Sequence, residues 1–164
     1  MPQSRFAVVR DALSLDAVAA LVEGDRRGRG EGCGAVCTFL GVVRATHQGR
    51  RVTHLEYEAH EALAERAFQR IGEEIAVQWP GATVAIHHRI GRLDVGEASV
   101  AIAAASAHRA EAFQVCRYAI ERVKQVAPIW KREHFDGGAE WVEGALADPD
   151  DDRARREALT RACA

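Results

Sequence analysis

Two long stretches of helical hydrophobic period, each followed by a pair of short strand-like runs joined through glycine, leave this chain few architectures. Over Glu61–Gln78 the apolar residues Leu63, Ala64, Ala67, Phe68, Ile71, Ile75 and Ala76 recur at helical spacing, and Trp79-Pro80-Gly81 closes the stretch. Residues 83–90 and 98–105 then read as strands linked through Gly91 and Asp94-Val95-Gly96. Ser106 is the expected N-cap of a second helix, with Glu111 adding favourable charge to its first turns. That helix runs to about Val126 and is broken by Pro128. Residues 129–135 and 139–142 follow as a hairpin around Asp136-Gly137-Gly138. Turns this short reverse the chain, so the strands pair antiparallel, whereas a doubly wound sheet needs a crossover between successive strands. The expected class is α+β, with antiparallel β-hairpins and flanking helices.

The N-terminal part obeys the same grammar. Phe6–Val9 reads as a strand, and Ser14 as the N-cap of a helix whose inner face carries Leu15, Val18, Ala19, Leu21 and Val22. The glycine- and charge-rich run 24–34 is expected to be a mobile connection. Residues 35–43 read as a strand, 44–51 as a polar loop, and 52–57 as the returning strand of a hairpin. The loop is basic for its length, holding Arg44, His47, Arg50 and Arg51. Asp148 to Asp152 cap a C-terminal helix rich in Arg and Ala. Residues 1–148 are assigned to one domain and 149–164 to a C-terminal helical tail.

With 164 residues, 48% apolar and 28% charged, the chain suits one globular domain, and a net charge of −2 argues against nucleic-acid or membrane binding. Residues 1–10 lack the apolar core of an export signal, and a cytoplasmic location is expected. Cys33, Cys37, Cys116 and Cys163 form no CxxC pair, so neither a metal site nor a disulfide framework is expected.

The basic residues carry a sharper signal. Among 22 Lys and Arg residues only Lys124 and Lys131 are lysines, and they lie seven positions apart. Arg is a permanent planar fork, whereas Lys is a compact amine suited to proton transfer, so a lysine that persists against an arginine bias is a candidate for amine chemistry. Arg117 and Lys124 fall within about 20° of each other around the helix axis. His108 and Arg109 occupy the start of that helix, where free N–H groups and the dipole favour an anion. Together these groups suggest a pocket for a phosphorylated small molecule, set against the plainer reading of a solvated basic helix face.

The segments Gly34-Ala35-Val36-x-Thr38-Phe39-x-Gly41-x-Val43-Arg44, His87-His88-Arg89-Ile90-Gly91, Ser106-Ala107-His108-Arg109, Lys124-x-x-Ala127-Pro128-Ile129-Trp130-Lys131-Arg132-Glu133 and Trp141-Val142-Glu143 occur in that order. Together they resemble the large, catalytic subunit family of molybdopterin synthase. The resemblance implies an α/β hammerhead-type fold and a sulfurtransferase of molybdenum-cofactor biosynthesis. Its substrate would be cyclic pyranopterin monophosphate, and no cofactor is implied. The sulfur would come from the thiocarboxylated Gly-Gly terminus of a small ubiquitin-like subunit, within a heterotetramer built on a homodimer of the large subunit. By position, Lys124 and Lys131 match the family's catalytic lysines, and Phe39, Arg44, His108 and Arg109 match its substrate-pocket residues. Gly144-Ala145 stand where relatives often carry an Arg, a role for which Arg132 or a neighbour is a candidate. The competing expectation is a non-catalytic anion-binding or scaffold relative on the same fold.

Overall fold

The computed structural model describes residues 4–23, 33–142 and 147–164, so most of the run 24–34 lies outside the described residues. In chain order the elements are β1 (Phe6–Val9), α1 (Leu15–Glu23), β2 (Ala35–Val42), β3 (Thr46–His47), β4 (Arg50–Ala59), α2 (Glu61–Gln78), β5 (Thr83–Arg89), β6 (Gly91–Asp94), β7 (Ala98–Ser106), α3 (Arg109–Val126), β8 (Ile129–Phe135), β9 (Gly138–Val142) and α4 (Asp152–Cys163). Two sheets form. One has the order β1-β5-β7-β2, parallel only between β1 and β5. The other has the order β3-β4-β8-β9, with β6 also paired to β4.

Strand β7 organises the larger core. Its alternating residues face opposite ways. Ala101, Ala103 and Ala105 join Val18 and Val22 of α1 on one side. Ile102 and Ala104 join Phe68, Ile71 and Ile75 of α2 and Val115 and Ala119 of α3 on the other. Helices therefore cover both faces of this sheet, which explains why β7 reads as a nearly continuous apolar run rather than an alternating one. A separate core of Val43, Val52, Leu55 and Leu93 lies under the second sheet.

The α+β class is met, with three corrections to local detail. First, β2 does not form a hairpin with β4; it pairs with β7, from Ala35↔Ser106 to Val42↔Ala98. As the edge strand beside β7, β2 packs Cys37 and Val36, partly buried, against the cores on the two faces of the sheet. The loop at 44–51 is instead a small hairpin of its own, with Thr46↔Arg51 and His47↔Arg50. Gln48 (φ 49°) and Gly49 (φ 76°) turn it through left-handed backbone, the geometry that matches strand twist across a two-residue hairpin. Second, the connection through Gly91 contains β6, because Leu93 fills the second core completely buried. Third, Ser106 ends β7 rather than capping α3, and its hydroxyl donates to Glu111 at 2.5 Å. His108 takes the N-cap position and makes no side-chain capping bond. The expected cap at Ser14 forms, accepting from Ala17 N, and of the acidic run 148–152 it is Asp151 that caps α4, accepting from Arg153 N and Ala154 N.

Two buried polar groups shape stability. Arg122 is wholly buried on α3 and donates to Glu74 of α2 through Nε (2.9 Å) and Nη2 (2.8 Å). Its Nη1 donates to Gln125, and Tyr118 Oη donates to the same Glu74 carboxylate at 2.8 Å. Burial pushes the Glu74 carboxyl upward, but these donors outweigh it and hold the group below its ordinary value. On β5, His88 is buried, donates from Nδ1 to its neighbour's carbonyl (Arg89 O, 2.9 Å) and meets Tyr57 edge to face at 5.1 Å. Burial pushes its pKa down to about 4.

Glu74→Ala leaves the Arg122 guanidinium buried without its partner, and should cost about 3–5 kcal/mol in urea unfolding. A Glu74→Leu, Arg122→Met double variant should recover much of that loss. His88 yields a pH signature. Its folded pKa lies below the unfolded one, so the unfolded chain takes the proton first as pH falls. Stability should drop by about 3 kcal/mol between pH 6.5 and pH 4, and His88→Gln should flatten that part of the profile. Parallel profiles for the two proteins would show that other groups cause the slope.

Candidate active site

Only Ala127 and Pro128 separate the end of α3 from the start of β8, so the chain turns sharply there. Ala127 is extended (φ −76°, ψ 126°), the conformation that a following proline imposes. Lys124 occupies the last turn of α3, where the negative end of the helix dipole favours a cation. Lys131 is the third residue of β8. Both line one cavity of about 640 Å³, bounded by β2, by the facing side of β4 and β8, and by the C-terminal end of α3. Phe39, Arg44, Tyr57 and His88 share it. Gly41 lies on its β2 wall, where a Cβ would stand 2.6 Å from Val100 Cγ1.

Glu133, two residues beyond Lys131 on the same face of β8, organises the charge. It is 3% exposed, accepts from Lys131 Nζ at 2.8 Å, and meets His47 Nδ1 at 2.6 Å. Burial alone would raise its carboxyl. Hydrogen bonds from Lys131 and His47, with their charge, hold it below the ordinary value. Lys131 is thus held in place. Lys124 and Arg44 make no hydrogen bond or ion pair among the described residues, so two cations stand uncommitted at a cavity with an apolar wall. The other bases of the 44–51 segment are occupied: Arg50 clamps Glu140 at 2.8 and 2.9 Å, and Arg51 lies 3.9 Å from Asp136.

Four of the six residues proposed from sequence, Phe39, Arg44, Lys124 and Lys131, come together here. His108 and Arg109 do not line this cavity. They begin α3, and fifteen residues of helix place Arg109 about 22 Å from Lys124 along the axis. Arg132 also stays out. It alternates to the opposite face of β8 and lies over the Trp141 ring at 5.9 Å, while residues 143–146 are outside the described residues. Sequence reasoning missed Glu133, His47 and His88. For Glu133 a signal existed, since period two on a strand puts it beside Lys131.

None of the four cysteines lines this cavity. Cys116 is buried, and burial, then the neighbouring Cys37, push its thiol far up, the opposite of what a nucleophile needs. A larger groove of about 1010 Å³ between α2, α3 and α4 mixes Arg66, Arg70 and Arg155 with Glu73, Glu74 and Asp152, and holds neither lysine. No helix among the described residues is long and apolar enough to cross a membrane.

Comparison with known proteins agrees with this geometry. Residues 8–126 match the model of the family described as MoaE protein. The chain is 42% identical over 146 residues to the molybdopterin synthase catalytic subunit of Halalkalibacterium halodurans, covering 89% of this chain and 90% of that one. It is 43% identical over 142 residues to that of Bacillus subtilis, covering 87% of each. Among solved structures, molybdopterin synthase from Staphylococcus aureus superposes with a TM-score of 0.79 at 35% identity, over 86% of this chain and 98% of that one. A cavity that gathers Lys124 and Lys131 on this α+β frame, with a family match across most of its length, makes the chain a member of the MoaE family of molybdopterin synthase catalytic subunits.

Proposed function

We propose that this chain is the sulfur-transferring subunit of a molybdopterin synthase, converting cyclic pyranopterin monophosphate to the dithiolene with sulfur from a thiocarboxylated Gly-Gly tail of a small ubiquitin-like subunit. The observation that carries the reading is the pair of uncommitted cations, Arg44 and Lys124, at the cavity where Glu133 pins Lys131. A cyclic phosphate is anionic, and Arg44 offers a planar fork that keeps its charge. Phe39, on the β2 wall, offers an apolar surface to a flat ring system. Each sulfur transfer needs a proton moved to a departing oxygen and charge stabilised as it develops there. Lys124, exposed and unpaired at the cavity, carries the proton or forms a transient bond to the incoming tail. Lys131, held by Glu133, supplies fixed positive charge.

His108 and Arg109 belong to substrate binding in the same reading, yet they lie a helix length from Lys124. In the homodimer that we include in the proposal, they serve the cavity of the other copy, so each site draws on two chains. Apolar side chains available for such contacts are exposed on β2 (Leu40, Val42) and α3 (Phe113). The assembly is a cytoplasmic heterotetramer, one small subunit on each large one. Residues 1–148 act as the catalytic domain, with 149–164 as an appended helix.

The lysines supply the direct test. Lys124→Arg keeps the charge but cannot shuttle a proton, and should lose on the order of 10²-fold in single-turnover rate while still binding the small subunit. Lys131→Arg should lose less. A rate near wild type for Lys124→Arg would remove the catalytic assignment, and substrate binding without any sulfur transfer by the unaltered protein would favour a non-catalytic anion-binding relative. Shared sites make a second prediction. Mixing inactive Lys124→Ala and Arg109→Ala chains should restore activity through hybrid dimers that contain one intact site. No recovery after verified subunit exchange would place Arg109 outside the site.

A further inference from the structure

The outer face of the second sheet carries a cluster that the proposed reaction does not use. Strand parity turns Leu55, Lys131 and Glu133 toward the cavity and His54, Glu56 and His134 to the opposite side. His54 and His134 are direct cross-strand partners, and Glu56 lies two residues along β4 on the same face. One donor atom from each of the three falls within 4.8 Å of the others. The imidazoles stack with centroids 4.0 Å apart and planes 16° from parallel, and His134 Nε2 meets Glu56 Oε2 at 2.6 Å. A register shift between Val52 and His54, a bulge of the kind that re-aims side chains, brings Thr53 alongside.

The hydrogen bonds around the cluster set the ring forms. Thr53 Oγ1 donates to the His134 carbonyl at 3.2 Å, so its lone pair is free to accept from His54 Nδ1–H, also at 3.2 Å. That leaves His54 Nε2 as a bare lone pair, oriented from behind as a metal-binding imidazole is by its outer partner. Neutral imidazole and carboxylate are the ligand forms. Asp94, across from His54 on β6, pairs through Oδ1 with Arg92 at 3.2 Å.

The geometry points to a divalent transition-metal site, of the zinc class, formed by His54, Glu56 and His134 with one open position. Two imidazoles and one carboxylate suit Zn²⁺ in tetrahedral geometry, where bonds of about 2.0–2.1 Å put neighbouring donors about 3.3 Å apart. Side-chain rotation closes the 4.8 Å set to that spacing, and the proton shared by His134 and Glu56 is released. Bound there, the ion ties β4 to β8, the strand that carries Lys131, from the side away from the substrate cavity. Its role is to brace the site rather than to enter the chemistry.

Chelator-treated full-length protein, titrated with Co²⁺, should show a visible d–d band saturating at one ion per chain and displaced by Zn²⁺. His54→Ala and His134→Ala should each weaken Zn²⁺ binding at least about tenfold, with folding checked by circular dichroism in the absence of metal. In the unaltered protein, Zn²⁺ should protect His54 and His134 from diethyl pyrocarbonate while His60 and His108 stay reactive, read by mass spectrometry. This second measurement decides the matter even if a variant misfolds. Absence of stoichiometric binding at about 100 μM Zn²⁺, unchanged binding in both folded variants, or indiscriminate protection of all four histidines would overturn the site.

Discussion

Everything at the candidate site depends on the abrupt end of α3 at Pro128. A proline cannot continue the helix, and it forces the residue before it into extended backbone. Ala127 complies, and β8 begins one residue after Pro128. The junction is fastened at two points: Ile129 N donates to Ala127 O at 2.8 Å, and His60 N, ahead of α2, donates to Pro128 O at 3.2 Å. A longer or softer link would let β8 drift relative to α3. With this one, the last turn of the helix and the start of the strand face a common space, and the two lysines of the chain meet there.

Glu133 shows how the cavity holds opposite needs together. A buried carboxylate is costly unless it is paired. Here it has two partners, and by satisfying them it fixes Lys131 and ties the β3 hairpin, through His47, to β8. The Arg122–Glu74 pair works similarly one layer away, joining α3 to α2 behind the face that carries Lys124. The lysine that we read as the proton carrier is left unpaired, as is Arg44, whereas Lys131, Glu133 and His47 are tied to one another.

The division between legible and illegible features follows range. Helices α2 and α3 could be read because their period is local, repeating within a few residues. The hairpin of β8 and β9 was legible because a Gly-Gly turn closes it within the same stretch. The partner of β2 was not, since its pairing with β7 spans more than fifty residues. The short strand β6 was hidden for the same reason: only Leu93 reveals it, and only once the second core exists.

By itself, the sequence determined the α+β class, the family, and the identity of the two lysines, because periodicity, turn chemistry and residue type are properties of the chain. It could also place Arg117 and Lys124 on one helical ridge. What tertiary structure alone decided is which groups share a space. It gathered Phe39 and Arg44 with the lysines, left His108 and Arg109 a helix length away, and put His88, Glu133 and His47 around the cavity. It also aligned His54 with His134 across two strands far apart in sequence. The physical reason is that side chains meet through packing and cross-strand register, which are set by the whole core and not by any local spacing.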